Sequence, residues 1–229
     1  MTTPSMEWSR HDWTGTAADF HAMELSAERA LWWCNVETPT VILGSTQSVD
    51  DVNQNIADES GVLVSRRRSG GGAVFVHPSD SVWIDITISR DDPLWKDDVA
   101  QSMLWLGECF VEALSPWVQA EVYRETFSSG IDGRVVCFAS SSPGEVFVAS
   151  NKLVGISQRR GREGARFQCV LYRHWRPGDW SSILASSDVQ SRVADIAVAT
   201  LAIPALALVH AIAEQLPGVG GEESGESWG

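Results

Sequence analysis

One run of ten residues constrains this chain most: Arg66-Arg67-Arg68-Ser69-Gly70-Gly71-Gly72-Ala73-Val74-Phe75. Val62-Leu63-Val64 before it predicts a buried strand, and Ala73-Val74-Phe75-Val76 within and after it predicts another. Glycine tolerates positive φ and lets backbone approach a ligand closely. Successive free N–H groups form an anion-binding concavity, and arginine adds charge-assisted bonds to phosphate. A plain glycine-rich hairpin turn is the competing reading. The flanking arginines and Ser69 favour a nucleotide or acyl-phosphate site. A Rossmann turn does not fit, because the glycines lead into a strand rather than a helix.

With 229 residues and 44% hydrophobic content, the chain can bury a sizeable core. A net charge of −13 argues against nucleic acid as the main partner. The positive charge is clustered, at Arg66 to Arg68 and again at Arg159, Arg160, Arg162 and Arg166. Two basic spots on an acidic protein suggest a local anionic ligand. For the second, exposed solvated arginine is an equal alternative. No apolar run opens the chain, and the uncharged stretch Ile196–Val209 is too short to span a bilayer. Cys34, Cys109, Cys137 and Cys169 form no Cys-x-x-Cys motif. A cytoplasmic protein with reduced thiols and no membrane partner is expected.

In chain order, residues 1–15 predict a flexible arm and Ala17–Trp33 a helix. Thr40–Leu43 predicts a strand, Asp50–Glu59 a short helix stopped by Gly61. Val82, Ile84, Ile86 and Ile88 alternate with Trp83, Asp85 and Thr87, predicting a half-buried strand over Ser81–Ile88. Asp98–Leu114 predicts an amphipathic helix. Strands follow at Ala120–Tyr123, Val135–Phe138 and Val146–Ala149, then a hairpin of Lys152–Arg160 and Ala165–Tyr172 about Gly161–Gly164. Asp188–Leu216 predicts helix interrupted at Pro204. The sum is α+β, with a mixed, mostly antiparallel sheet packed by helices. Residues 16–216 are expected to form a single catalytic domain, and 217–229 a disordered acidic tail.

A second constellation is Glu145, then Asn151-Lys152-Leu153-Val154-Gly155-Ile156-Ser157-Gln158-Arg159. A lysine beside glycine-bearing backbone is a compact point cation. It can bridge a carboxylate and an α-phosphate and stabilise charge developing there. A surface lysine at a hairpin is the bland alternative, as a solvated edge glutamate is for Glu145.

The decamer resembles the signature loop of lipoate–protein ligases, Arg-Arg-x-Ser-Gly-Gly-Gly-Ala-Val, and the second stretch resembles that family's Lys-x-x-Gly-Ser-Ala-x-Arg strand. The resemblance covers roughly residues 17–210 and implies the biotin/lipoate ligase catalytic fold around an acyl-adenylate cleft. It implies a binding role for Arg67, Ser69, Gly70, Gly71, Gly72, Ala73, Gln47, Gly155 and Arg159, catalysis by Lys152, and magnesium near Glu145. The implied reaction joins lipoate or octanoate to ATP, with Mg²⁺, and passes the acyl group to a lysine of a lipoyl carrier domain. Ile156-Ser157 stands where Ser-Ala is usual, and two further departures stand out: Gln168-Cys169-Val170 stands where the family has a histidine, and the sequence is expected to end where the family's small accessory domain would begin.

Short members include ligases with a separate accessory domain, and octanoyltransferases that take acyl groups from acyl carrier protein through a cysteine. That directs attention to Cys169 and Cys137. A symmetric hairpin pairs Ile156 with Cys169 and places Cys169 on the Lys152 face, about 13 Å along the strand. A buried structural thiol is the alternative for each. A non-catalytic acyl- or nucleotide-binding homologue also remains open.

Overall fold

The computed structural model describes residues 7–218. The chain runs β1 (Ser9–Gly15), α1 (Ala17–Ala22), β2 (Ala30–Val36), β3 (Thr40–Leu43), α2 (Gln54–Glu59), β4 (Leu63–Arg66), β5 (Val74–Val76) and β6 (Ser81–Ser89). It continues through α3 (Leu104–Leu114), β7 (Glu121–Val122), β8 (Val146–Val148), β9 (Asn151–Arg160), β10 (Gly164–Tyr172), α4 (Ser187–Ala194) and α5 (Ala205–Glu214).

Seven strands form one sheet in the order β1-β2-β6-β10-β9-β8-β7, and β4-β3-β5 form a second. Pairings are antiparallel except β1 with β2 and β3 with β4. The fold is therefore α+β with a mixed, mostly antiparallel sheet, as the alternation of short strands and helices predicts. Leu106 and Phe110 of α3 pack with Leu208 and Ile212 of α5 on Ile84, Ile86, Val154 and Ile156 of the large sheet. On its other face lies the small sheet, where Ile42, Val74 and Val76 meet Trp83 and Val170. Val41 and Phe75 carry the small sheet's outer face onto residues around α2 and α4.

This layering explains where the sequence expectations miss. The strand Ser81–Ile88 is buried on both faces, not one, because the small sheet covers Trp83. Its Asp85 and Thr87 are buried too. Residues 9–15 are not an arm but the edge strand β1, paired in parallel with β2. The helix expected over Ala17–Trp33 ends at Ala22, and Leu31-Trp32-Trp33-Cys34 instead pairs with β6. Aromatic and aliphatic residues in that order satisfy either period, and pairing with a buried strand decides it. Only Leu104–Leu114 of the Asp98–Leu114 segment is α-helical, with Val99 exposed. Val135–Phe138 is no strand; Val136 makes one bridge to Ala73, and Cys137–Ala139 is a 3₁₀ turn. The helical region expected over Asp188–Leu216 with a break at Pro204 forms α4 and α5, and the break is wider than expected, because Val198 and Thr200 bridge to Lys152 and Tyr172. The acidic tail lies outside the described residues from 219 on.

Candidate functional site

The glycine loop is held by the ends of three strands. Arg67 N donates to Leu43 O at 2.9 Å and Ser45 N to Ser69 O at 3.0 Å. Gln47 accepts from Gly44 N at 2.9 Å and donates to Val135 O at 3.1 Å. Ala73 N donates to Val135 O at 2.7 Å and Ala73 O accepts from Cys137 N at 2.9 Å, tying the loop to the 135–137 segment. Gln47 thus acts as a brace behind the loop. Within it, Arg67 Nη2 donates to both Gly70 O and Gly72 O at 2.9 Å. Gly71 takes φ +100°, a left-handed conformation that favours glycine. A Cβ on Gly72 would lie 2.7 Å from the backbone of Val136. Two kinds of donor are left over. The N–H groups of Gly70, Gly71 and Gly72 have no acceptor among the described residues. Arg67 Nε is buried without a partner, although the residue is only 5% exposed.

The lysine strand contains a bulge. Val146 of β8 pairs with Val154 and Phe147 with Lys152, so Leu153 is the extra residue. Both Leu153 and Val154 therefore face the helices, and the alternation reverses. Lys152, Gly155 and Ser157 face the small sheet; Val154 and Ile156 face α3 and α5. Lys152 Nζ donates to Cys137 O at 2.9 Å and to Glu145 at 2.8 Å. It also lies over the Phe138 ring at 5.5 Å. Burial holds the Glu145 carboxyl above its ordinary range, against the pull of the Lys152 ammonium.

Between loop and strand is a narrow cleft lined by Ile42, Arg67, Val74, Trp83, Phe138 and Val170, with Cys137, Gly155, Ser157 and Gln168. Its free volume is about 20 Å³, room for about one water. A buried polar chain forms one wall. His21 Nδ1 donates to Ala17 O at 2.8 Å, which leaves Nε2 to accept from Gln168 at 3.0 Å. Gln168 Oε1 accepts from Ser69 Oγ at 2.8 Å, and Ser69 Oγ meets Ser157 Oγ at 3.2 Å. Burial lowers the His21 pKa to about 4, and the Arg166 and Arg67 charges push the same way. Beneath this chain Asp85 accepts from Trp83 Nε1 at 2.6 Å and pairs with Arg166.

The structure therefore gathers Arg67, Ser69 and Gly155 at the cleft, with Lys152 and Glu145 directly behind Cys137 and Phe138. Ala73 and Gln47 sit one layer back as supports. Arg159 is further along β9, beside the hairpin tip, and lines a separate groove. Cys169 does pair with Ile156, as expected. The bulge nevertheless puts it on the face opposite Lys152, 1% exposed among Ile84, Ile156 and Leu171. Burial pushes its thiol well above the ordinary range. The cysteine at the cleft is Cys137, 8% exposed. Both Glu145 oxygens are occupied, one by Lys152 and Ile156 N, the other by Lys152 and Ser142 N. Among the described residues no group of three His, Cys, Asp or Glu could hold a metal ion. The residues present do not fit a protein-held magnesium ion. His21, Trp83 and Phe138 escaped the sequence reading. His21 meets Gln168 across 147 positions, with no local signal of that meeting.

The fold is a mixed α+β sheet carrying a glycine-rich loop, a buried lysine and a narrow apolar cleft. The profile of the lipoyl protein ligase A/B catalytic domain matches residues 14–216, and the chain belongs to that family. Among solved structures, lipoate-protein ligase A bound with ATP is similar with a TM-score of 0.67 and 16% identity, covering 90% of this chain and 82% of that one. The bipartite lipoate protein ligase of Thermoplasma acidophilum, solved with its E2 lipoyl domain, gives 0.67 and 16%, covering 90% and 81%. LipL1 of P. falciparum in complex with lipoate gives 0.63 and 14%, covering 91% and 60%. No curated protein matches the sequence. Among the described residues no helix is long and apolar enough to cross a membrane.

Proposed function

We propose that this chain is an ATP-dependent acyl ligase acting on lipoate or octanoate in the cytoplasm. A carboxylate oxygen of the acid attacks the α-phosphorus of ATP, pyrophosphate leaves, and acyl-AMP forms. The neutral amine of a carrier-domain lysine then attacks the acyl carbonyl, AMP leaves with the bonding electrons, and the proton lost from the nitrogen passes to water. The observation that carries this reading is Arg67 Nε, a buried donor without a partner in the lining of an apolar cleft, at the base of a loop whose Gly70 to Gly72 amides have no acceptor among the described residues. Unsatisfied buried donors are costly unless a ligand accepts from them. A ligand with an anionic head and an apolar tail matches both parts. Once the cleft widens past Cys137 and Phe138, Lys152 supplies positive charge where the mixed anhydride forms, and Ile42, Val74, Trp83 and Val170 keep water from it. The nearly closed cleft must widen to take an acyl chain. The similar ligases solved with ATP, with lipoate and with a lipoyl domain support this choice of substrates and acceptor.

The deciding experiment supplies ATP with lipoate or octanoate and follows pyrophosphate release. No release with either acid overturns the reading. One observation favours a second reading: Cys137 lines the cleft, so a cysteine-dependent octanoyltransferase taking its acyl group from acyl carrier protein would use Cys137 rather than Cys169. A stable octanoyl adduct formed without ATP is its signature.

A further inference from the structure

The face of the β9–β10 hairpin that floors the cleft continues past it. Gly155 pairs with Val170, Ser157 with Gln168 and Arg159 with Arg166, all on that face. Each step is two residues, so Arg159 and Arg166 lie about 7 Å beyond Ser157 and Gln168. Beyond them is the hairpin tip, Arg162-Glu163. A groove of about 250 Å³ opens here, between the tip and the loop that follows α1. Glu24, Thr87, Arg159, Arg162, Glu163 and Arg166 are among its lining residues.

The four arginines of the second basic cluster divide sharply. Arg160 turns to the other face, stacking 3.9 Å over Trp95 and donating to Lys96 O and Asp97 O. Arg166 is consumed by Asp85 and by the carbonyls of Phe20 and Met23. The side chains of Arg159 and Arg162 make no hydrogen bond or ion pair among the described residues. Across the groove Arg68, from the glycine loop, holds Glu24 at 2.5 Å, both side chains exposed. Glu24 is this chain's own example of a carboxylate in this place. Its hydrogen bond and charge contact with Arg68 keep its pKa below the ordinary value, and Arg159 and Arg166 add to that.

On a chain of net charge −13, an acidic protein is repelled by most of the surface. Unpaired arginines beside the cleft are where such a protein can approach. We propose that this rim is the docking surface of the carrier domain, which presents carboxylates to Arg159 and Arg162 and so delivers its lysine to the cleft. The proposal rests on the acyl-transfer reading above. A small free anion would use the same arginines without involving a carrier.

Two tip variants test it with opposite signs, Arg162→Glu and Glu163→Lys. The probe is the apo form of an E2 lipoyl domain, titrated calorimetrically at low salt and at about 0.3 M salt, where the Debye length falls to several ångströms. Arg162→Glu should raise Kd, and the carrier KM in transfer, by about tenfold at low salt with kcat little changed, since rim charges act on association. Glu163→Lys should lower both. Pyrophosphate release without carrier should stay at the wild-type rate in each. Equal Kd for wild type and both variants overturns the proposal, as does a lipoyl domain that fails to bind. So does a site that titrates with inorganic phosphate while ignoring the carrier. If the wild type releases no pyrophosphate, the acyl-adenylate reading fails alone, and the Kd series still decides the docking surface.

Discussion

Lys152 donates to Glu145 across 2.8 Å, with side chains only 1% and 2% exposed. Two charges so enclosed depend on each other, and removing one leaves the other uncompensated. Glu145→Ala is expected to cost about 3–5 kcal/mol in chemical denaturation, and Lys152→Met a similar amount. The double variant Lys152→Met/Glu145→Leu should be more stable than either single one. Pyrophosphate release should vanish wherever Lys152 is replaced, including in the double variant. A stable double variant that still forms acyl-AMP would remove Lys152 from the chemistry.

The three glycines of the loop should not be equivalent. A Cβ on Gly70 meets nothing within 4 Å, whereas one on Gly72 meets the Val136 backbone at 2.7 Å. Gly70→Ala should therefore keep its melting temperature. Gly72→Ala should lose stability by about 1–3 kcal/mol, the usual cost of overpacking, and weaken nucleotide binding as the loop moves from the 135–137 segment. Thermal melts paired with ATP affinity make the comparison. Equal behaviour of the two would mean that the close approach does not shape the loop.

His21 gives the fold a pH dependence of predictable sign. Its folded pKa is near 4, below the ordinary 6.5, so the unfolded chain binds the extra proton between those values. The stability it contributes is full above about pH 6.5 and is lost as pH falls towards 4. The loss is on the order of 3 kcal/mol, because each pH step between the two values is worth about 1.4 kcal/mol. His21→Gln should flatten the unfolding free energy over that window. An unchanged slope would place the titration elsewhere.

The cysteines separate the two chemistries. Cys169→Ser puts a hydroxyl among Ile84, Ile156 and Leu171 and should cost about 1–3 kcal/mol with no effect on reaction order. Cys137→Ser should leave ATP-dependent activation intact if the chain is a ligase. Intact mass after incubation with octanoyl acyl carrier protein is the measurement. An octanoyl adduct lost only in Cys137→Ser would establish the transferase instead.

Much of the site was legible locally. The loop from Arg67 to Ala73 and the Lys152-to-Gly155 spacing are contiguous motifs, and contiguous motifs survive folding as neighbours. The β9–β10 pairing was legible too, because Gly161 to Gly164 sets a turn whose symmetry brings Cys169 opposite Ile156. The face of Cys169 was not. It depends on one extra residue, Leu153, and a bulge is settled by the partner strand rather than by the bulged strand's own pattern.

What the sequence alone determined is the chemistry on offer: a glycine nest flanked by arginine, a lysine strand, and an α+β pattern of short strands and helices. Those follow from local backbone freedom and hydrophobic period, which neighbours along the chain settle. Tertiary structure decided which of these groups meet. The small sheet buried the second face of β6, and pairing with β2 made an edge strand of 9–15. Layer packing set His21 against Gln168, sent Cys169 away from the cleft and left Cys137 in it. Such meetings depend on which faces pack, and packing is a property of whole layers, with no signal in the residues on either side.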